Sequence, residues 1–138
     1  MKQTPNDVSN QSMSMPRATF RPHERINDPG DFRRAFERKR SASDAALIVY
    51  GVENGRDHPR LGISIGRKKV RRAVDRNRVK RVLREAFRLG KSELPAGVDL
   101  VVVPRGADLS FAQAREALPR LAQDVARRLG LDPAKAAP

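Results

Sequence analysis

Residues 60–89, RLGISIGRKKVRRAVDRNRVKRVLREAFRL, change period in mid-course. Leu61, Ile63 and Ile65 alternate with Gly62, Ser64 and Gly66, the two-residue repeat of a strand with one apolar face and one nearly bare. A bare strand face lets a packed helix or a ligand approach the backbone closely. From about Arg72 to Leu89 the repeat turns helical. Val79, Val82, Leu83 and Ala86 fall on one side, and Asn77, Arg81, Arg84 and Arg88 fall roughly opposite. Gly90 is a natural stop.

Working outward, Ala45–Val52 (AALIVYGV) is a short run of strand formers that ends at the turn signal Asn54-Gly55. The two strands, separated by that turn, are expected to pair as a hairpin. Before them, Asp28-Pro29-Gly30-Asp31-Phe32-Arg33-Arg34-Ala35-Phe36 opens a helix. Asp28 suits the N-cap, Pro29 the first helical position, and Asp31 the positive end of the dipole. Phe32 and Phe36 share one face of that helix, which ends near Arg40. After the basic helix, Val98–Pro104 reads as a central buried strand. Ser110 and Gln113 then form a capping box for a last helix with Ala114, Leu118, Leu121, Val125 and Leu129 inward. Pro119 is expected to kink or split that helix near Leu118. The order predicts an α+β, α/β-type sandwich: one small mixed sheet packed by helices. Residues 1–19 are polar and read as a disordered tail, 20–130 as a single α/β domain, and 131–138 as a frayed end. Met13 and Met15 leave the start codon open, and neither an internal repeat nor a heptad run is visible.

The 138 residues carry 29 Lys and Arg against 16 Asp and Glu, a net +13. A surface so positive belongs beside nucleic acid or an anionic membrane. No apolar run approaches the roughly 20 residues of a spanning helix, and no signal-peptide core is present, so a cytoplasmic protein is expected. Without cysteine there is no disulfide, thiol nucleophile or Cys-ligated zinc. Residues 67–88 hold eleven cations and two anions, so a net +9 sits on 22 residues. Phosphate contact would relieve that mutual repulsion through counterion release. A protein-only nuclease needs clustered carboxylates or an acid–base pair. Here His23 and His58 read as surface residues, and Asp75 and Glu85 as salt-bridge partners within the basic helix. No active site of the chain's own is expected.

Arg76-Asn77-Arg78, followed by Val79 to Arg88, resembles the RNR motif region of the bacterial ribonuclease P protein family. Arg60–Val70 is similar to that family's strand and basic loop, Asp31–Phe36 to its aromatic first helix, and Leu47–Tyr50 to its next strand. The likeness runs in order from about residue 20 to 129. Two departures stand out: Arg71-Arg72, where many members carry small or polar residues, and Pro119. The resemblance implies a protein that joins a catalytic RNA, 1:1, to remove 5′ leaders from precursor tRNA. It implies that the RNA and its bound magnesium do the hydrolysis, with no catalytic or metal-binding residue in the protein, no membrane and no small-molecule substrate. It assigns Arg76, Asn77, Arg78, Lys80, Arg81 and Arg84 to the catalytic RNA, and the charges of Arg71, Arg72 and Arg88 are expected to add to that RNA face. It assigns Phe32, Phe36, Tyr50, Arg67, Lys68 and Lys69 to a cleft for the single-stranded leader. It also implies a left-handed βαβ crossover, which no pattern in the sequence reveals.

Residue chemistry agrees in kind. Arg and Lys neutralise phosphates, and aromatic rings stack on unpaired bases without sequence preference. Asn77 can read a base edge or 2′-OH, or simply make a local cap or turn bond. Two Phe at helical spacing are ordinarily core, whereas the Tyr50 hydroxyl favours a wet edge. Charge and fold class also suit a ribosomal-type RNA-binding protein. A DNA-compacting protein and an anionic-membrane binder fit less well, the latter because Phe87 is the sole ring on the basic helix.

Overall fold

The computed structural model describes residues 20–131; the expected N-terminal tail and most of the expected frayed end fall outside them. The elements are α1 (Pro29–Arg38), β1 (Ser41–Ser43), β2 (Leu47–Glu53), β3 (Arg60–Ile63), α2 (Ala73–Gly90), β4 (Val98–Pro104) and α3 (Phe111–Arg128). Single 3-10 turns at Pro22–Glu24 and Lys91–Glu93 flank α1 and follow α2. Among the described residues the strands form one mixed sheet in the order β1-β2-β4-β3.

β2 and β3 do not form the expected hairpin, because β4 lies between them, antiparallel to β2 and parallel to β3. The reason lies in β4 itself. Val98, Leu100, Val101 and Val102 are all fully buried, so this strand needs cover on both faces and partners on both edges. The turn residue expected to close the hairpin fastens to β4 instead. The Asn54 N–H donates to the Gly97 carbonyl at 2.9 Å, and its side-chain amide donates to Asp99 Oδ1 at 2.9 Å. β1 is three residues of Ser-Ala-Ser, too short to show a period in the sequence.

The hand of the β3–α2–β4 crossover follows from chirality. Viewed from the face carrying Val102, with β4 running upward, an L-residue pointing at the viewer directs its carbonyl to the right. The Val102 carbonyl accepts the Ser64 N–H at 3.0 Å, so β3 lies to the right of β4. α2 packs on this near face, its Val79, Leu83 and Phe87 sharing a core with Leu100 and Val102. The chain therefore passes from right to left with the helix in front. That is a left-handed crossover, against the strong general preference.

α2 and α3 cover one face of the sheet, and α1 covers part of the other through a small cluster around Ile26, Ala35, Val52 and Val101. α1 is capped as its sequence suggests, with Asp28 Oδ1 accepting the Gly30 N–H at 2.9 Å and Lys39 closing it in the left-handed region. The Ser110–Gln113 capping box of α3 forms in both directions. Pro119, contrary to expectation, neither splits nor ends α3. Its ring removes the N–H that the Arg115 carbonyl would accept. The neighbours Leu118, Leu121 and Ala122 are nevertheless buried, so packing holds both halves of the helix on the sheet. The ring itself sits where α2 presents Gly90, whose added Cβ would lie 3.5 Å from Pro119 Cγ.

α3 approaches β2 far more closely at Gly51, where a Cβ would stand 2.3 Å from Val125 Cγ1. Gly51→Ala is therefore expected to cost about 1–3 kcal/mol through overpacking, read as a lower urea midpoint at unchanged m. A second prediction concerns acid. Glu24 is buried, yet its carboxyl titrates below its ordinary 4.5. Burial alone raises it, but Lys91 Nζ at 2.8 Å and the Arg21 N–H at 2.7 Å outweigh that. A carboxyl lowered in the folded state stabilises above its unfolded value and loses that contribution as the pH falls through the folded one. The stability gap between the parent and Glu24→Gln should thus be widest near neutrality and close below pH 4.5 in a series of thermal melts.

Candidate nucleic-acid interface

The basic segment begins in a turn, with the Gly66 carbonyl accepting the N–H groups of Lys69 (3.1 Å) and Val70 (3.0 Å). Buried Val70 anchors the loop and leaves Arg67, Lys68 and Lys69 exposed on it. In α2 the inward residues are Val79, Leu83, Ala86 and Phe87, with Val82 half-buried at the margin. The cations divide into three sets. Arg72 and Arg88 pair with Asp75 (3.7 Å) and Glu85 (2.6 Å), the intrahelical role expected for both acids, and Arg88 holds the Glu85 carboxyl below its ordinary range. Arg76 and Arg78 are turned onto backbone carbonyls. Arg67, Lys68, Lys69, Arg71, Lys80, Arg81 and Arg84 make no ion pair or hydrogen bond with another described side chain. Asn77 is exposed and does not cap α2, whose N-cap is Arg72.

A cavity of about 250 Å³ opens at the outer edge of β3. Here Arg25 bridges in parallel to Leu61, and the Ile26 N–H donates to the Leu61 carbonyl at 2.9 Å. Its walls are Phe20, Arg25, Ile26 and Asn27, then Phe32 from α1, Leu61–Ile63 from β3, and Lys80 and Arg84 from α2. The bare face of β3 is taken by a ring: a Cβ on Gly62 would lie 2.9 Å from Phe32 Cε1 and Cζ. Phe20 stacks edge-on against Phe87 at 5.1 Å, and the Arg25 guanidinium lies 4.8 Å over its face.

The residues expected in the leader cleft thus separate. Phe32 lines the cavity together with Lys80 and Arg84, two cations expected on the RNA-subunit side. Phe36 and Tyr50 form their own edge-to-face pair at 4.8 Å on the α1 face of the sheet. Phe36 is 36% exposed there, so it is not the ordinary core residue that its spacing suggests. Arg67, Lys68 and Lys69 do not line the cavity and stand free on their loop. Sequence reasoning missed Phe20, Arg25 and Asn27. The available signal was Phe20, a lone aromatic where the polar tail ends.

A buried ion pair fixes α1 beside this site. Arg60 grips Asp99 across the parallel β3–β4 ladder, Nε to Oδ1 at 2.7 Å and Nη2 to Oδ2 at 2.5 Å, with Asp99 fully buried. Its Nη2 also reaches Asp31 of α1 at 3.4 Å. Hydrogen bonding to Asp99 raises the Arg60 pKa against the opposing effect of burial. The next residue after Asp31 is Phe32, so the pair helps set that ring over Gly62. His23 lies in the Pro22–Glu24 turn and meets His58 edge-on at 5.0 Å. Among the described residues no group of three or more His, Asp or Glu converges on a geometry fit for a metal ion.

Three comparisons bear on this arrangement. A family model described as Ribonuclease P matches residues 20–126. An Escherichia coli protein, "Ribonuclease P protein component", is 41% identical over 98 residues, covering 70% of this chain and 82% of its own. The ribonuclease P protein of Thermotoga maritima superposes with TM-score 0.64 at 36% identity, over 72% of this chain and 94% of that one. The Staphylococcus aureus protein superposes with TM-score 0.62 at 34% identity, over 71% and 91%. The α+β fold is therefore a shared one, and the chain belongs to the bacterial ribonuclease P protein family, as a subunit of that tRNA-processing nuclease.

Proposed function

We propose that this chain binds the catalytic RNA of ribonuclease P, 1:1, and the 5′ leader of precursor tRNA, and so assists removal of the leader. The observation that carries this reading is an aromatic-walled cavity lined by unpaired Lys80 and Arg84, with five more unpaired cations on the preceding loop and the exposed face of α2. Arg71, Asn77 and Arg81, with the loop cations Arg67, Lys68 and Lys69, supply phosphate and 2′-OH contacts along the outer face. Phe32, Lys80 and Arg84 offer an unpaired nucleotide a ring to stack on and cations for its phosphate. Phe36 and Tyr50 extend the aromatic surface on the α1 face. On this reading the RNA with its bound magnesium carries out the hydrolysis, and the residues of this chain bind and orient the RNA partners.

The test is cleavage of a 5′-extended precursor tRNA at low magnesium with protein alone, ribonuclease P RNA alone, and both. Correct cleavage that is much faster with both present supports an accessory subunit. Cleavage by nuclease-free protein alone would place an active site on the chain. RNA binding with no gain on mixing would instead favour a ribosomal-type RNA-binding protein.

A further inference from the structure

We infer that the two arginines of Arg76-Asn77-Arg78 are positioning residues, each holding a loop against α2, and that neither is itself a phosphate contact. The inference rests on the RNA-binding reading above and assigns its contacts more narrowly.

Arg76 Nη1 donates back to the carbonyls of Val70 (3.2 Å) and Arg71 (2.7 Å). It thereby fastens the end of the loop that carries Arg67, Lys68 and Lys69. Arg78 points the other way, across 29 and 31 residues of sequence, to the β4–α3 connection. Its Nη1 donates to the Leu109 carbonyl at 3.0 Å and its Nη2 donates to the Ala107 carbonyl. Arg78 serves its two carbonyls with the two prongs of a planar fork, a geometry the single ammonium of a lysine lacks, while Arg76 reaches both of its carbonyls with Nη1. Arg76 Nη1 and both Nη groups of Arg78 are thus committed to backbone acceptors, whereas Arg81 on the same helix is exposed and unpaired.

The test compares Arg76→Lys, Arg78→Lys and Arg81→Gln for affinity to the ribonuclease P RNA across a salt series, with amide exchange of residues 66–71 and 105–110. The lysine variants keep their charge and lose the guanidinium donors. Arg81→Gln should flatten the slope of log K against log salt by about 0.7–0.9, one phosphate contact. Arg76→Lys and Arg78→Lys should leave the slope unchanged, weaken binding about tenfold, and speed exchange in the 66–71 and 105–110 loops respectively about tenfold or more. Full RNA affinity in the lysine variants together with loosened loops, or unchanged loop exchange, overturns the inference. If Arg78→Lys does not fold, Arg78→Gln in the assembled complex with RNA replaces it. A slope flattened there as in Arg81→Gln makes Arg78 a phosphate contact and also overturns the inference. A parent protein whose binding shows no salt dependence overturns the RNA-binding reading itself, which is a separate result.

Discussion

Asp99→Ala is expected to lower the unfolding free energy by about 3–5 kcal/mol, because it strands the Arg60 guanidinium in a dry site. For a domain of this size the total is about 5–15 kcal/mol, so one side chain controls much of it. Asp99 is fully buried and Arg60 only 9% exposed, so solvent cannot take over the lost partner. Asp31 cannot replace it either, at 3.4 Å and from the far end of the same Nη2. Asp31→Ala should accordingly cost much less. Replacing both partners with apolar residues of similar volume, Arg60→Met with Asp99→Leu, should recover most of the loss, because no charge is then left buried. Urea denaturation of the four proteins separates these outcomes. A cost under about 1 kcal/mol for Asp99→Ala would mean that water reaches Arg60.

The second large effect concerns binding. Changing Lys80, Arg81 and Arg84 together to glutamine should lower affinity for precursor tRNA or the RNA subunit by about 10²–10³-fold at about 0.1 M salt. The same change should flatten the salt slope by about 2–3. Lys80 and Arg84 carry the cavity's charge beside Phe32, and Arg81 stands on the outer face of the helix. Arg88→Gln is the matched control. Its guanidinium is engaged by Glu85, so its removal should move the slope far less. Equal slopes for the triple variant and the parent would remove α2 from the RNA contact.

Much of this was legible in the chain because local chemistry decides it. The caps at Asp28 and Ser110, the stop at Gly90 and the apolar stripe of α2 all lie where the residues indicate. The hairpin expectation failed because it used the turn at Asn54-Gly55 and ignored the demand of β4 for two partners. Pro119 misled because tertiary packing outweighs one missing hydrogen bond. The site was legible as a set of residue types and less so as a place. Nothing local to Lys80 or Arg84 says that they face Phe32, since the contact is made through β3. Nothing local to Arg76 and Arg78 says that their charge is aimed at carbonyls, because the acceptors of Arg78 lie about thirty residues downstream.

The central place of β4 also has a consequence for synthesis on the ribosome. β1 and β2 can pair as soon as both have emerged, but β2 and β3 have no shared edge and must wait for residues 98–104. β4 pairs with β2 across some fifty residues, so closure of that loop gates the sheet and makes folding a late event in translation. Until then the nascent chain displays residues 67–88, with their eleven cations, on no platform at all. The order of emergence therefore exposes the charge before the shape that directs it.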